Sequence, residues 1–188
     1  AGVKDLATRV KVNRDTVLLN DERLTPKSER LYLVLNKPQG YTVSRKGFGE
    51  KTIFDLVRGM PANLAYAGRL DRESEGLLLL TTDGDLILRL THPSYGVRKI
   101  YLADVQTPLP PKALERFRRG LPLEDGLTKP AQIDCVNENS STYRIILKEG
   151  RNRQIRRMLE FLGSPVVRLK RIGFGPLRLD GLNPGEYR

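Results

Sequence analysis

The segment Leu64-Ala-Tyr-Ala-Gly-Arg-Leu-Asp-Arg-Glu-Ser-Glu-Gly-Leu-Leu-Leu-Leu80 has an apolar run at each end and a polar centre. The two apolar runs, 64–67 and 77–80, predict β-strands. Gly68 and Gly76 bound the polar residues between them, and glycine permits the sharp turns that such a loop requires. We therefore expect two strands that hold a firmly anchored polar loop.

Further strands and helices are predicted on both sides of this loop, in irregular order. The expected strands cover 31–35, 99–105 and 142–148. The expected helices cover 51–59, 85–90, 111–119 and 152–162, and Asp85 and Asn152 are the expected N-caps of the second and the fourth. This mixture is typical of an α+β protein with one principal domain.

The helix over 152–162 has two different faces. At about 100° per residue, an apolar stripe forms on one side and predicts a core face; its members are Ile155, Met158, Leu159 and Leu162. Arg153, Arg156 and Arg157 gather on the opposite side without acidic residues nearby in the sequence. A solvated helix face explains such arginines in most proteins, but uncompensated positive charge at a helix start also favours an anion.

The residues before the first strand are expected to form a small separate segment. Residues 10–20 alternate as a hairpin would, with Asn13-Arg14-Asp15 at the turn, and a polar linker follows at Thr25-Pro26-Lys27-Ser28. A lone hairpin is too small to fold independently. We therefore divide the chain into residues 1–28 and a principal domain of residues 29–188.

The composition points to a polyanionic partner. The 188 residues carry 33 Lys and Arg against 22 Asp and Glu, for a net charge of +11, and 22 of the basic residues are Arg. Arg grips phosphates through two parallel hydrogen bonds and stacks on bases, which favours nucleic acid over a lipid surface. The alternative is charge that serves solubility alone.

Other function classes lose support from the residue counts. One cysteine, Cys135, and one histidine, His92, are too few for a disulfide framework or a zinc site. No apolar run has spanning length, so we expect no membrane partner and a cytoplasmic location. Cys135 is expected to be a small buried residue and His92 to end a helix. No phosphate-loop motif is present.

Asp71 is the strongest candidate for chemistry in the central loop. It lies between Arg69 and Arg72, which favour its ionised form. An ionised carboxylate can attack an electrophilic carbon or stabilise a cationic one. By local pattern alone, however, a loop aspartate is more often a turn residue or an ion-pair partner, so both interpretations stay open at this level.

Several segments, in order, resemble the RsuA/RluB group of ribosomal RNA pseudouridine synthases. The matching segments are Asn36-Lys37-Pro38-Gln39-Gly40, the run 68–78, Thr91-His92-Pro93-Ser94, Lys99-Ile100-Tyr101, the run Gly150–Met158 and Gly175-Pro176-Leu177. They extend over most of residues 31–188, and the second and fifth are long enough to be highly specific. The N-terminal hairpin is similar to the end of an S4-type RNA-binding module, of which the preceding helices are absent or shortened.

The resemblance implies a fold, an activity and three catalytic residues. The fold would be a long mixed, mostly antiparallel sheet with flanking helices and a central cleft. The activity would be isomerisation of a uridine without cofactor or metal, in large-subunit rather than small-subunit ribosomal RNA. Asp71 matches the catalytic aspartate, Tyr101 the tyrosine that packs on the uracil, and Arg156 the arginine that pairs with the aspartate. Attack on the sugar, attack on the base and a glycal route all stay open.

The resemblance also suggests residues and partners outside the chemical step. Arg69, Arg72, Arg151, Arg153 and Lys37 are the expected RNA contacts, although each has an ordinary structural alternative, and Pro38 is expected to fix the chain after the first strand. The expected partner is ribosomal RNA or a pre-ribosomal particle, bound by a monomer. The competing hypothesis is an RNA-binding or ribosome-assembly factor that has the basic cleft without the chemistry.

Overall fold

The computed structural model describes residues 10–11, 14–24, 30–137 and 141–188. The chain forms two compact units, Ala1–Arg30 and Leu31–Arg188. In the smaller unit, strand β1 (Leu18–Leu19) pairs with the antiparallel strand β2 (Glu22–Arg23). The predicted linker at 25–28 lies outside the described residues.

The hairpin of the smaller unit turns at a different place from the one predicted. Its turn residues, Asn20 and Asp21, have φ of 51° and 65°, the left-handed conformation that a two-residue hairpin turn requires. Asn13 lies outside the described residues. Arg14 and Asp15 both donate their backbone N–H to the carbonyl of Lys11 at 3.0 Å. This part of the predicted hairpin turn is a local turn, and the strands described in this unit pair across Asn20 and Asp21 instead.

The larger unit contains a mixed sheet and three α-helices among its described residues. The strands are β3 (Tyr32–Lys37), β4 (Ala65–Ala67), β5 (Glu75–Thr81), β6 (Lys99–Val105), β7 (Pro122–Leu123), β8 (Gly126–Leu127), β9 (Gln132–Cys135), β10 (Thr142–Leu147), β11 (Val166–Phe174) and β12 (Leu177–Arg178). The helices are α1 (Gly84–Thr91), α2 (Pro111–Arg119) and α3 (Gln154–Phe161). Strands predicted at 31–35, 64–67, 77–80, 99–105 and 142–148 are confirmed to within two residues at each end.

Eight of the described strands form one sheet with the order β3-β5-β11-β6-β10-β9, in which β4 pairs with β5 and β12 with β11. All pairs are antiparallel except β5 with β11. The predicted mixed, mostly antiparallel sheet of an α+β protein is therefore confirmed. Strands β7 and β8 form a separate hairpin between α2 and β9.

The parallel pair forms where Gly76 meets Arg171. Gly76 has φ of 108° and lies inside β5, so it does not bound the loop as predicted. A Cβ at this position would lie 2.2 Å from the carbonyl oxygen of Arg171, far closer than atoms can approach. Glycine therefore permits the backbones of β5 and β11 to join here.

The four leucines Leu77–Leu80 are buried on both faces of the sheet. Leu77 and Leu79 belong to a cluster with Leu90 of α1, whereas Leu78 and Leu80 pack on the other face with Ile53. A third cluster lies between the far half of the sheet and helices α2 and α3. A strand covered on both faces is uniformly apolar, which explains the run.

The predicted helix over 51–59 is wrong. Only Ile53–Asp55 form a single 3₁₀ turn. At its start the backbone N–H of Thr52 donates to the carboxylate of Asp55 at 2.8 Å, and the backbone N–H of Asp55 donates to the carbonyl of Thr52 at 3.1 Å. Thr52 also forms a parallel bridge with Thr42. Pairing of this segment with the chain after β3 takes the place of a longer helix.

Two helix starts also differ from the prediction. The N-cap of α1 is Asp83, whose carboxylate accepts from the backbone N–H of Leu86 at 3.1 Å, so Asp85 is a first-turn residue instead. The residue that precedes α3 is Arg153, in the left-handed conformation with φ of 46°, and Asn152 is not the cap. The apolar stripe of α3 is buried as predicted.

His92 and Cys135 are the one histidine and the one cysteine of the sequence. His92 ends α1 as predicted, and its ring accepts from the backbone N–H of Ser94 at 3.3 Å. Cys135 is exposed at the end of the edge strand β9, where its thiol donates to the carbonyl of Asn137 at 2.9 Å, so the expectation of a buried cysteine is wrong. Across the described residues, no helix combines the length and apolar character needed to span a membrane.

Candidate active site

A cavity of about 550 Å³ opens beside the loop that carries Asp71. Its walls come from the loop after β4, the middle of the sheet, and the segment that leads into α3. Residues that line it include Arg69, Asp71, Tyr101, Lys129, Arg153 and Arg171. Pockets that hold small ligands in proteins cover roughly 300–1,000 Å³, so the space admits one nucleoside.

Asp71 lies on a loop that is fixed at both ends. Its carbonyl accepts from the backbone N–H of Ser74 at 3.0 Å, and the next residue, Arg72, accepts from Gly40 at 2.9 Å. The side chain of Asp71 is 29% exposed. The carboxylate is thus held in a defined place and still open to a molecule in the cavity.

Lys37 supports this loop from inside the protein. The residue is fully buried at the end of β3, and its ammonium donates to the carbonyl oxygens of Ser74 at 2.7 Å, Pro38 at 3.0 Å and Arg72 at 3.4 Å. Burial lowers the pKa of Lys37 to about 8, against the opposing effect of Asp71 and Glu75. The expected RNA contact of Lys37 is therefore wrong, because the ammonium has no access to a ligand.

Arg171 is a second buried cation beneath the same loop. It is 2% exposed, donates through Nε to the carbonyl of Leu77 at 2.7 Å and through Nη1 to that of Arg69 at 3.4 Å. Its guanidinium lies 5.0 Å from the centre of the Phe174 ring. Lys37 therefore binds carbonyls in the middle of the loop, and Arg171 binds carbonyls on both of its flanks.

Arg153, rather than Arg156, lies next to Asp71. Nη1 of Arg153 is 3.9 Å from Oδ2 of Asp71 and 2.9 Å from Oε2 of Glu73. Among the described residues the ion-pair partner of Arg156 is Glu73, with Nε 3.9 Å from Oε2, and Nη2 also donates to the carbonyl of Glu73 at 3.4 Å. In this structure the direct ion pair of Arg156 is therefore with Glu73, and its role beside Asp71 stays a prediction.

The arginines of α3 are compensated by partners that are remote in sequence. Glu73 binds Arg153 and Arg156, and Asp125 of the β7–β8 turn accepts from both ends of the Arg157 guanidinium at 3.0 and 2.9 Å. These hydrogen bonds hold the pKa of Asp125 below its usual value. The uncompensated charge that the sequence predicted is therefore smaller than expected.

Arg151 is also tied to the β7–β8 hairpin. It donates to the backbone carbonyls of Leu127 at 2.6 Å and Gly126 at 2.9 Å, and it lies 3.4 Å from the Asp125 carboxylate. Its side chain is 25% exposed. Arg151 therefore positions the hairpin beside the start of α3 and offers RNA only a small surface.

The remaining predicted residues lie at or near the cavity. Tyr101 is half-buried in the central strand β6, opposite Arg171 of β11, and lines the cavity. Arg69 is exposed and lines the cavity as well. Arg72 is exposed beside the loop and binds Glu50 at 2.9 Å.

Sequence reasoning missed several charged residues of the cavity wall. Lys99 begins β6, and burial together with nearby Arg171 lowers the pKa of its ammonium. Glu149 is buried and accepts from the backbone N–H of Lys129 at 2.9 Å and from the side chain of Gln154. Lys99 belongs to the segment Lys99-Ile100-Tyr101, which resembles the pseudouridine synthases. That resemblance is the sequence signal that could have identified it as a cavity residue.

The cavity offers acid–base and electrostatic groups. Within the described residues, no three His, Cys, Asp or Glu side chains converge as they would around a metal ion. The lining includes the accessible carboxylate of Asp71, the aromatic residues Tyr101 and Phe174, and several fixed cations. A carboxylate in this setting can act on a sugar or base, while the cations stabilise negative charge on the partner.

Comparison with known proteins gives consistent matches. The profile of the RNA pseudouridylate synthase family matches residues 31–161. An RNA pseudouridine synthase of Aquifex aeolicus is 40% identical over 190 residues, which cover 99% of this chain and 76% of the relative. Ribosomal large subunit pseudouridine synthase B of Bacillus subtilis is 37% identical over 167 residues, covering 86% of this chain and 68% of the relative.

A solved structure confirms the fold. A crystal structure of a pseudouridylate synthase superimposes with a TM-score of 0.79 at 34% sequence identity, covering 99% of this chain and 80% of that one. The family match and the shared fold define the class as RNA-modifying enzymes. The chain belongs to the RNA pseudouridine synthase family, and within it to the RsuA/RluB type.

Proposed function

We propose that the chain isomerises a uridine of large-subunit ribosomal RNA to pseudouridine, with Asp71 as the catalytic carboxylate. The observation that carries the proposal is the position of Asp71, which is 29% exposed at a cavity of about 550 Å³ that Tyr101 also lines. The N1–C1′ bond breaks, the uracil turns, C5 bonds to C1′, and the proton on C5 leaves as N1 gains one. No atoms are added and no electrons are transferred overall.

The other side chains of the cavity have separate roles in this proposal. Tyr101 packs against the turning uracil, which needs a flat apolar wall that its half-buried ring provides. Arg153 orients the carboxylate of Asp71 across 3.9 Å. Arg156 acts one step further away, through Glu73, and Arg69 contacts the RNA backbone at the rim.

The proposed substrate rests on charge and on the relatives. Two matched relatives are named ribosomal large subunit pseudouridine synthases, B in Bacillus subtilis and E in Vibrio vulnificus. The net charge of +11 favours a polyanion. A base in folded RNA presents neither face nor glycosidic bond, so the uridine must leave its stack to enter the cavity.

The domain division and cellular setting are further parts of the proposal. Residues 29–188 form the catalytic domain, and residues 1–28 contribute an S4-like segment. The enzyme acts as a cytoplasmic monomer and needs no metal or organic cofactor. Full activity after dialysis against EDTA, together with a monomer mass in light scattering, is the expected result.

The test of the central proposal is Asp71→Asn. Tritium release from 23S ribosomal RNA labelled at uridine C5 is expected to fall below detection, because an amide cannot act as a nucleophile or base. RNA affinity is expected to stay within a few-fold of the parent. The matched control is Asp180→Asn, an exposed carboxylate outside the cavity, which is expected to release tritium at the parent rate.

The same assay separates the competing function. An RNA-binding or ribosome-assembly factor would bind the RNA and release no tritium in the unsubstituted protein. Undiminished release by Asp71→Asn would instead refute the role of Asp71. Pseudouridine mapping in cells with and without the gene then identifies the target uridine.

A further inference from the structure

The loop between β3 and the 3₁₀ turn, residues 43–51, is joined to the catalytic loop by an ion pair between Glu50 and Arg72. The two ends of the loop are joined by backbone contacts. The backbone N–H of Thr42 donates to the carbonyl of Lys51 at 2.9 Å, and Thr42 forms a parallel β-bridge with Thr52. Within the loop, Ser44 donates through its hydroxyl to the carbonyl of Lys46 at 2.8 Å. The loop is therefore a closed, internally bonded protrusion.

Phe48 stands at the tip of this loop in an unusual conformation. The tip is a tight turn closed by the backbone N–H of Glu50, which donates to the carbonyl of Gly47 at 2.8 Å. Both central residues have positive φ, 46° for Phe48 and 93° for Gly49. A bulky aromatic residue rarely adopts this region, because its Cβ crowds the backbone.

The ring of Phe48 is almost completely open to solvent. It is 91% exposed, the highest fraction among the large hydrophobic side chains that the structure describes. Single exposed hydrophobic residues are common on protein surfaces and need no function by themselves. Here, however, the ring extends from a hydrogen-bonded turn.

A direct contact connects this loop to the catalytic loop. The carboxylate of Glu50 accepts from Nη1 of Arg72 at 2.9 Å, and Arg72 is the residue after Asp71. Two extended residues span at most about 7 Å, so the backbone of Phe48 lies within that distance of Glu50. The ion pair therefore ties the loop 43–51 to the side of the catalytic loop from which the Arg72 side chain extends.

The loop is also basic. Lys46 is exposed next to the tip, and the ammonium of Lys51 lies 5.8 Å from the centre of the Tyr41 ring. Arg45 already binds groups of the protein, since its guanidinium donates to the carbonyls of Ala62 and Leu64 and lies over the ring of Phe54. Cations beside an open ring form the combination that binds single-stranded nucleic acid.

We propose that Phe48 stacks on an unpaired nucleobase that neighbours the target uridine, while Lys46 contacts the adjoining phosphate. The loop thereby selects single-stranded RNA next to the modified position. This inference rests on the proposed function, because it takes RNA as the substrate and the Asp71 cavity as the place of reaction.

The chain contains no tryptophan, so Phe48→Trp introduces a single fluorescent reporter at the tip. Titration with a ten-nucleotide single-stranded RNA is expected to quench its emission, because stacking on a base quenches indole. The matched control is Phe161→Trp, at an exposed aromatic position at the end of α3, where no quenching is expected. Equal quenching by the same RNA as a duplex would overturn the proposal, since paired bases have both faces covered.

Affinity measurements separate stacking from charge. Phe48→Ala is expected to weaken binding of the single-stranded RNA about tenfold, as loss of one base–aromatic stack does, without changing the salt dependence. Lys46→Ala is expected to lower the slope of log K against log salt by about one phosphate contact. Phe161→Ala should bind as the parent does. An affinity for Phe48→Ala within twofold of the parent would refute the stack.

The outcomes are distinguishable from failure of the proposed function. If the parent protein makes no pseudouridine in ribosomal RNA, the catalytic proposal fails whether or not Phe48→Trp is quenched. If the parent is active and Phe48→Ala has an unchanged KM for RNA, the stacking proposal alone fails. Loss of self-association in Phe48→Ala at intact RNA affinity would also overturn it, because the ring would then serve a protein contact.

Discussion

The ammonium of Lys37 donates to the carbonyl oxygen of Ser74 at 2.7 Å, and through this bond the end of β3 holds the loop that carries Asp71. The bond crosses the interior of the protein, where the lysine is fully buried. Lys37, which the sequence predicts as an RNA contact, therefore acts on the position of the catalytic loop.

Lys37→Met is expected to lower the free energy of unfolding by roughly 2 kcal/mol at pH 7, because three carbonyl oxygens lose their donor. The difference from the parent should also depend on pH. The pKa of Lys37 is lowered from 10.5 to about 8 in the folded protein, so between these values the unfolded chain binds more protons. The contribution of Lys37 to stability therefore rises from about pH 8 to pH 10.5.

Urea unfolding of the parent and Lys37→Met at pH 7, 9 and 10.5 measures this effect, since all other titrating groups are common to both proteins. A difference that stays flat over this range would show that the buried ammonium keeps its ordinary pKa.

Gly76→Ala is expected to destabilise the protein by about 3 kcal/mol or more. The added methyl group would lie 2.2 Å from the backbone oxygen of Arg171, and φ of 108° is strained for alanine. Gly84→Ala is the control, because a Cβ at that first residue of α1 meets nothing within 4 Å. Thermal unfolding should show a large loss for the first variant and a gain of at most about 1 kcal/mol for the second.

Arg156→Ala and Glu73→Gln are expected to lower kcat/KM in a strongly non-additive way, with a coupling of about fivefold in a double-mutant cycle. The reason is that the described contacts connect Arg156 to Glu73, with Nε 3.9 Å from the carboxylate, rather than to Asp71. If Glu73→Gln were fully active and Arg156→Ala inactive, Arg156 would not act through Glu73. It would then contact Asp71 or RNA directly.

Asp125→Ala is expected to raise RNA affinity a few-fold and to steepen the dependence of log K on log salt. The variant removes a negative charge and releases the guanidinium of Arg157, while Arg151 keeps its bonds to the carbonyls of Gly126 and Leu127. Asp134→Ala is the control, because that exposed carboxylate binds Arg118 on the edge of the sheet. Filter binding at three salt concentrations gives the slope of log K against log salt for each variant. Equal slopes for Asp125→Ala and Asp134→Ala would contradict the release of Arg157 as the cause.

Local sequence information was sufficient for most of the fold. The strand over 99–105 and the helix over 111–119 have the predicted bounds, because alternation, a leading Pro111 and a closing Gly120 are properties of adjacent residues. The 51–59 helix was predicted wrongly because its residues pair with the chain near Thr42. Such pairing is decided by contacts that no local window contains.

The sequence by itself determined the candidate carboxylate, its basic surroundings and, through ordered motifs, the family. Tertiary structure decided which arginine lies next to Asp71, that Lys37 is buried, and that Glu73 and Asp125 balance the arginines of α3. The physical reason is that an ion pair depends on distances of a few ångströms between side chains that are far apart in sequence, such as Arg153 and Glu73, which are 80 positions apart. The sequence records which charges are present, and only the folded chain determines which of them meet.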